Sequence, residues 1–246
     1  MKRRALIVGI SLLLVATLII CQNLNPKDTE VWEPEPEVVV PGVSSSDPPS
    51  DAIILFSGDD LDQWQHNDGR PVEWDLENGI AVVKKGTGDI RTKEAFGSIQ
   101  LHIEWRTPKE IEGEGQGRGN SGLFLQERYE VQILDSYNNR TYSNGQAGSI
   151  YKQSIPLANT MRPPGEWQSY DIIYHAPSFE DDGTYAQHPY VTVLHNGVLI
   201  QDHVKILGTT EFIGPPKVAK HGKSSIMLQD HGNPVAFRNI WVRELD

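Results

Sequence analysis

Two small groups of residues in this 246-residue chain are of types that do acid–base chemistry. Asp230 and His231 are adjacent, and an imidazole with an acid on its second ring nitrogen is a ready general base, because it titrates near neutral pH. Glu130 and Gln132 share one face of an extended segment, while Asp135 points oppositely unless a bulge intervenes. A polar pair on one side of otherwise apolar residues 129–134 suggests a site. Each reading has a plainer rival. Asp230 can cap the turn formed by Gly232, Asn233 and Pro234 while His231 packs, and Glu130 with Gln132 can line a solvated outer face.

The elements that must hold these groups are strands. Ile99, Leu101, Ile103 and Trp105 alternate with Gln100, His102, Glu104 and Arg106, the period of a strand with one buried face. Residues 191–194 and 198–201 flank Asn196-Gly197, a two-residue turn in which both positions accept positive φ, so they predict a hairpin. Short runs at 53–56, 80–83, 123–126, 129–134, 170–174, 226–229 and 237–242 are each bounded by Gly, Pro, Asn or Asp. No 3.6-period stretch of a dozen residues follows residue 51. About ten strands without crossover helices predict an all-β sandwich or jelly roll of two antiparallel sheets. The Gly-rich run 109–118 reads as a surface loop, since no strand-then-helix context with a Lys-Ser/Thr makes it a phosphate cradle.

Charge and cysteine usage exclude other classes. With 22 Lys+Arg against 33 Asp+Glu the net charge is −11, so the basic footprint that nucleic acid demands is lacking. The single cysteine, Cys21, excludes an intramolecular disulfide framework and a cysteine zinc cage. Lys2, Arg3 and Arg4 precede an apolar run over 5–20, the pattern of a secretory signal. Leu18-Ile19-Ile20-Cys21 resembles a bacterial lipobox, although Ile20 is bulkier than the small residue such signals place there. Residues 22–51, rich in Pro and Glu, read as a solvated tether. The expected organisation is therefore a signal with possible lipidation at Cys21 over 1–21, a tether over 22–51, and one domain over 52–246. The expected location is the periplasm or cell envelope, with membrane attachment through a lipid or the signal itself.

Taken in order, several motifs of the domain look like those of the 3-keto-disaccharide hydrolase domain family. They are Gly88-Asp89-Ile90, Gly119-Asn120-Ser121-Gly122-Leu123, Glu130-Val131-Gln132-Ile133-Leu134-Asp135, Gly165-Glu166-Trp167, and Leu228-Gln229-Asp230-His231-Gly232-Asn233-Pro234-Val235. The resemblance spans residues 52–246. It implies a concanavalin A-like jelly roll acting on oxidised sugars in exported bacterial proteins. A ketone at carbon 3 acidifies the carbon 2 hydrogen, so the carbon 1 substituent can leave by elimination, and water then adds back. Such a site needs a base, an electropositive group at the enolate oxygen and a proton donor.

His231, Asp230 and Glu130 are the catalytic candidates. Gln132, Asn120, Gln126, Gln229, Glu104, Tyr151 and Asp135 are the candidates for contacting substrate. His102 with Asp230 or His231 could hold a divalent cation, but the sequence requires no cofactor. Two other readings stay open. A lectin-like carbohydrate-binding module would keep the groove and need no base. The spacing of Glu130 and Asp135 is similar to the Glu-x-Asp-x-x-Glu strand of laminarinase-type retaining glucanases, but Gln132 replaces the middle acid and Asp135 is the shorter acid. Trp105 and Trp241 alternate with polar residues and predict core positions, not sugar platforms.

Overall fold

A computed structural model describes residues 25–245. The expected signal segment, Cys21 included, lies outside the described residues. The chain divides into two units, 1–39 and 40–246. In the first, Asn25 accepts a hydrogen bond from Lys27 N–H at 3.0 Å and caps a single 3-10 turn, Pro26–Thr29. Residues 25–38 are all exposed, as their charge and proline content dictate.

The second unit is all β. Its strands in chain order are β1 (Ile53–Phe56), β2 (Trp64–His66), β3 (Asp75–Glu77), β4 (Ile80–Val82), β5 (Ile90–Thr92), β6 (Ile99–Arg106), β7 (Ser121–Leu125), β8 (Tyr129–Ile133), β9 (Gln168–His175), β10 (Ser178–Phe179), β11 (Tyr185–Gln187), β12 (Tyr190–His195), β13 (Val198–Lys205), β14 (Met227–Leu228) and β15 (Ala236–Glu244). They build two antiparallel sheets. The larger runs β13-β12-β9-β6-β15-β4-β3, with β1 also on β15, and the smaller runs β2-β5-β14-β7-β8. Strands β10 and β11 form a separate hairpin. This is the expected jelly-roll sandwich of two antiparallel sheets.

Alternation explains how the layers close. Ile99, Leu101, Ile103 and Trp105 of β6 are at most 1% exposed and share one core with Leu123 and Leu125 of β7, Val131 and Ile133 of β8 and Leu228 of β14. Each such side chain removed from water contributes roughly 2 kcal/mol, which fixes the register of every strand that carries one. Asn196 and Gly197 adopt φ of +53° and +80° and link β12 to β13 as expected. The opposite faces of both sheets carry the polar residues, so any site built by alternation must lie on one of those outer faces.

The end of the tether differs from expectation. Residues 40–51 belong to the second unit. The Ser46 carbonyl accepts from Asn239 Nδ2 at 2.9 Å and Trp241 Nε1 at 3.0 Å, and Asp51 accepts from Arg243 Nε at 2.8 Å. Residues 44–47 form a turn, closed by Asp47 N–H donating to Ser44 O at 3.1 Å and Ser44 N–H to Asp47 Oδ2 at 2.8 Å, which leaves the Ser46 carbonyl for the side chains of β15 to satisfy.

Candidate active site

On the outer face of the smaller sheet a hollow of about 280 Å³ is lined by Asn120, Phe124, Glu130, Gln132, Tyr151, Thr210, Phe212, Gln229 and His231. Its size is near the low end for small-ligand pockets, roughly 300–1,000 Å³. Strand alternation builds the floor. Ser121, Leu123 and Leu125 of β7 enter the core, so Gly122 and Phe124 face outward; Glu130 and Gln132 of β8 do the same. Gly122 pairs with Gln132 and Phe124 with Glu130. On the other flank Gln229 N–H donates to the Gly122 carbonyl at 3.0 Å, which sets Gln229 beside Gly122.

Gly122 makes the hollow possible. A Cβ there would lie 2.7 Å from Glu130 Oε1 and 2.7 Å from Phe124 Cε2, inside any real contact distance. The Glu130 side chain therefore leans across the space that a larger residue would fill. Glu130 is 5% exposed, and burial pushes its carboxyl up to about 8. No basic group offsets that cost among the described residues, so the neutral acid is the favoured form at neutral pH.

Loops supply the walls. Residues 148–151 run along β8: Gly148 N–H donates to Gln132 O at 2.8 Å, and Tyr151 N–H to Glu130 O at 3.2 Å. This brings the Tyr151 phenol to the hollow, where its oxygen meets Tyr142 Oη at 2.5 Å. Burial and that contact raise the Tyr151 pKa above the ordinary phenol value. Thr210 Oγ1 accepts from Glu130 N–H at 3.0 Å and holds the next wall. Asn120 Nδ2 donates to Gln116 O at 2.7 Å, and Gln132 Nε2 donates to Gln116 Oε1 at 2.9 Å. Gln116 is itself oriented by donating to the Gly145 carbonyl at 2.8 Å, so the Gln132 amide is fixed with its oxygen left without a protein partner. His231 is exposed at the rim.

Six sequence candidates thus meet in one hollow: His231, Glu130, Gln132, Asn120, Gln229 and Tyr151. Four do not line it. Asp230 faces away, because alternation along 229–231 sends it to the far side. Its Oδ2 accepts from Gly86 and Gly88 N–H at 2.7 and 3.0 Å, and its Oδ1 from Gly232 N–H at 2.9 Å. The turn-capping reading describes it, and it does not hold the His231 ring. Gln126 is a core tie, donating to Phe96 O at 2.9 Å and accepting from Tyr174 Oη at 2.8 Å. Asp135 is bound by Arg118 Nε at 2.7 Å beside a separate cleft.

Glu104 lies on the outer face of the larger sheet, accepting from Arg238 Nε at 2.6 Å and Asn239 Nδ2 at 3.0 Å. His102 is on that same sheet, its Nδ1 2.6 Å from Asp171, so it does not join Asp230 or His231 around a cation. No group of three or more His, Cys, Asp or Glu side chains is arranged for a metal ion among the described residues. Phe124, Thr210 and Phe212 are lining residues that sequence reasoning missed. Phe124 was signalled by alternation in 123–126, whereas Thr210 and Phe212 sit in an irregular stretch with no periodic mark.

A family model described as a 3-keto-alpha-glucoside-1,2-lyase-like domain matches residues 51–243. The chain belongs to this family. The motifs 119–123, 130–135 and 228–235, which carry the family resemblance in sequence, all border the hollow or contribute to it. A 3-keto-disaccharide hydrolase of Bacteroides thetaiotaomicron is 25% identical over 238 residues, covering 79% of this chain and 78% of that protein. A solved Parabacteroides distasonis structure assigned to the glycosyl hydrolases is 57% identical, with a TM-score of 0.87 over 90% of this chain and 97% of that one. A second structure from the same organism, 23% identical over 79% of this chain and 94% of that one, has a TM-score of 0.59 and shares the fold.

Proposed function

We propose that the chain cleaves 3-keto-glycosides by elimination and rehydration, with His231 as base and Glu130 as acid. One observation carries the proposal: the desolvated Glu130 carboxyl, pushed up to about 8, shares a hollow with the exposed imidazole of His231. A carboxyl that keeps its proton at neutral pH can give it to a leaving oxygen. In the first half-reaction the carbon 2 proton passes to His231 and the electron pair enters the enolate of the carbon 3 ketone. The ketone re-forms, a carbon 1–carbon 2 double bond appears, and the carbon 1–oxygen bond breaks with its pair on the departing oxygen, which takes the Glu130 proton.

Water then adds its oxygen to carbon 1 and yields a proton to Glu130, while His231, whose exposed ring exchanges its proton with solvent, delivers a solvent proton to carbon 2. Net hydrolysis results, with both side chains restored. The Gln229 amide, which makes no side-chain hydrogen bond among the described residues, is the donor we assign to the enolate oxygen.

Double displacement is less well supported. Among the described residues Glu130 is the one carboxylate lining the hollow, whereas retaining hydrolysis uses two about 5–5.5 Å apart. The test is to incubate the purified protein with matched native and 3-keto disaccharides and follow product release. Release from the 3-keto substrate is expected. Release from the native glycoside alone, or binding of the 3-keto sugar without any release, would overturn the proposal.

We infer export as well, from the basic start, the apolar run 5–20 and Cys21 at its end. A Cys21→Ala variant that stays in the membrane fraction as fully as the natural chain would contradict attachment through a lipid on Cys21.

A further inference from the structure

Phe212 stands out among the residues around the hollow. It lines the cavity yet is 73% exposed, and its neighbour Ile213 is 82% exposed. Both lie at the tip of a loop whose base is closed: Thr209 N–H donates to Lys217 O at 2.9 Å, Lys217 N–H to Thr209 Oγ1 at 3.2 Å, and Glu211 Oε2 lies 3.1 Å from Lys217 Nζ. Gly214, Pro215 and Pro216 follow at the tip, where proline limits the backbone. The loop is also tied to β8 and the residue before it through Thr210, which accepts from Glu130 N–H at 3.0 Å and donates its N–H to Arg128 O at 2.8 Å.

The phenyl ring is held from the other wall. Lys152 Nζ sits 4.4 Å from the Phe212 ring centroid, 5.5 Å from that of Tyr151 and 5.7 Å from that of Tyr142, and it donates to the Phe212 carbonyl. Lys152 adopts φ of +57°, a strained conformation for a residue with a side chain. A cation among three rings fixes the orientation of Phe212 while one face of the mouth stays apolar and open to solvent. An ordered ring at the rim of a polar hollow suits a ligand whose reacting ring enters the hollow and whose other end remains outside.

We propose that Phe212, steadied by Lys152, is the platform for the leaving group: a ring with an apolar face, carried on the oxygen of carbon 1, stacks on the phenyl as the oxidised sugar sits over Gly122. This rests on the reading of the hollow as the sugar site, and it names the part of the substrate that the hollow itself does not enclose. It predicts a preference for ring-bearing aglycones over small alkyl ones.

Binding of unoxidised phenyl and methyl glucosides of the same anomeric configuration, which lack the ketone and so stay intact, reads the platform apart from the chemistry. Titration calorimetry with the full chain is expected to show about ten-fold tighter binding of the phenyl glucoside, a ratio near one for Phe212→Ala, and a retained ratio for Phe212→Tyr. Equal affinities in the natural chain, no detectable binding of either glucoside, or a ratio that Phe212→Ala leaves intact would overturn it. Failure to release product from 3-keto-glycosides would instead sink the proposed reaction while leaving this ratio to be read.

Discussion

A carboxyl moved from water into the hollow must either find a cation or keep its proton, and Glu130 has no cation. The acid role we propose for it therefore ends where the proton is lost. The rate with a 3-keto-glycoside should fall on the alkaline side as pH rises through about 8, and Glu130→Gln should lower kcat by roughly 10²–10³ and abolish that limb. A pH–rate profile of both proteins checks this. Stability moves with the same proton. The folded carboxyl binds it more tightly than the unfolded one, with its ordinary value of 4.5, so stability declines as pH rises from about 4.5 through 8. Single residues were only half legible in sequence. Types and alternation pointed to His231 and Glu130, but nothing in a string of letters shows that Asp230, Asp135 and Glu104 are already held by backbone amides or arginines.

Elements were legible where they bury an apolar face. β6, β8, β9 and β12 announce themselves by alternating large side chains that enter one core, whereas β13 buries only Ile200 in it and β15 breaks its alternation at a register shift between Arg238 and Trp241. Strands β2, β3, β5, β10 and β11 are two or three residues long and several are polar, so pairing with a neighbour, and no pattern of their own, makes them strands. The turn after β14 shows how such pairing serves the site. Asp230 ties three backbone amides and so presents His231 at the rim. Asp230→Ala should cost about 2 kcal/mol of stability by leaving those donors unpaired, and should lower kcat/KM by about ten-fold through a loosened His231. His231→Ala, at an exposed position, should remove turnover while shifting Tm by less than about 2 °C. Thermal melts beside kinetics separate the two roles; equal Tm losses would contradict the division.

At the scale of the whole molecule the two outer faces do different work. The larger sheet carries a charged cluster. Burial would lower the His102 pKa, but the hydrogen bond with Asp171 at 2.6 Å and the Glu104 carboxylate 3.7 Å from Nε2 outweigh it and hold it up at about 9. The ring also stacks on Trp241 at 5.4 Å, and Trp241 in turn binds the Ser46 carbonyl. Because the folded value lies above the ordinary 6.5, the charged ring contributes stability fully below about pH 6.5 and loses it as pH rises through 9. The natural chain should therefore lose more Tm than His102→Gln between pH 6.5 and 9, by about 3 °C or more; equal losses would show that the ring is uncharged. That residues 40–51 join this unit was hidden in sequence, since the contacts are made by a backbone carbonyl and one acid.

The smaller sheet's outer face holds the hollow in which we place the reaction, and the proposed step that matters most is loss of the carbon 2 proton there. Reacting a 3-keto-glucoside in heavy water and locating deuterium in the released sugar tests it. One solvent deuteron is expected at carbon 2 of each product molecule, incorporated at the rate of cleavage and faster than spontaneous exchange. Product that retains its original hydrogen at carbon 2 would contradict it.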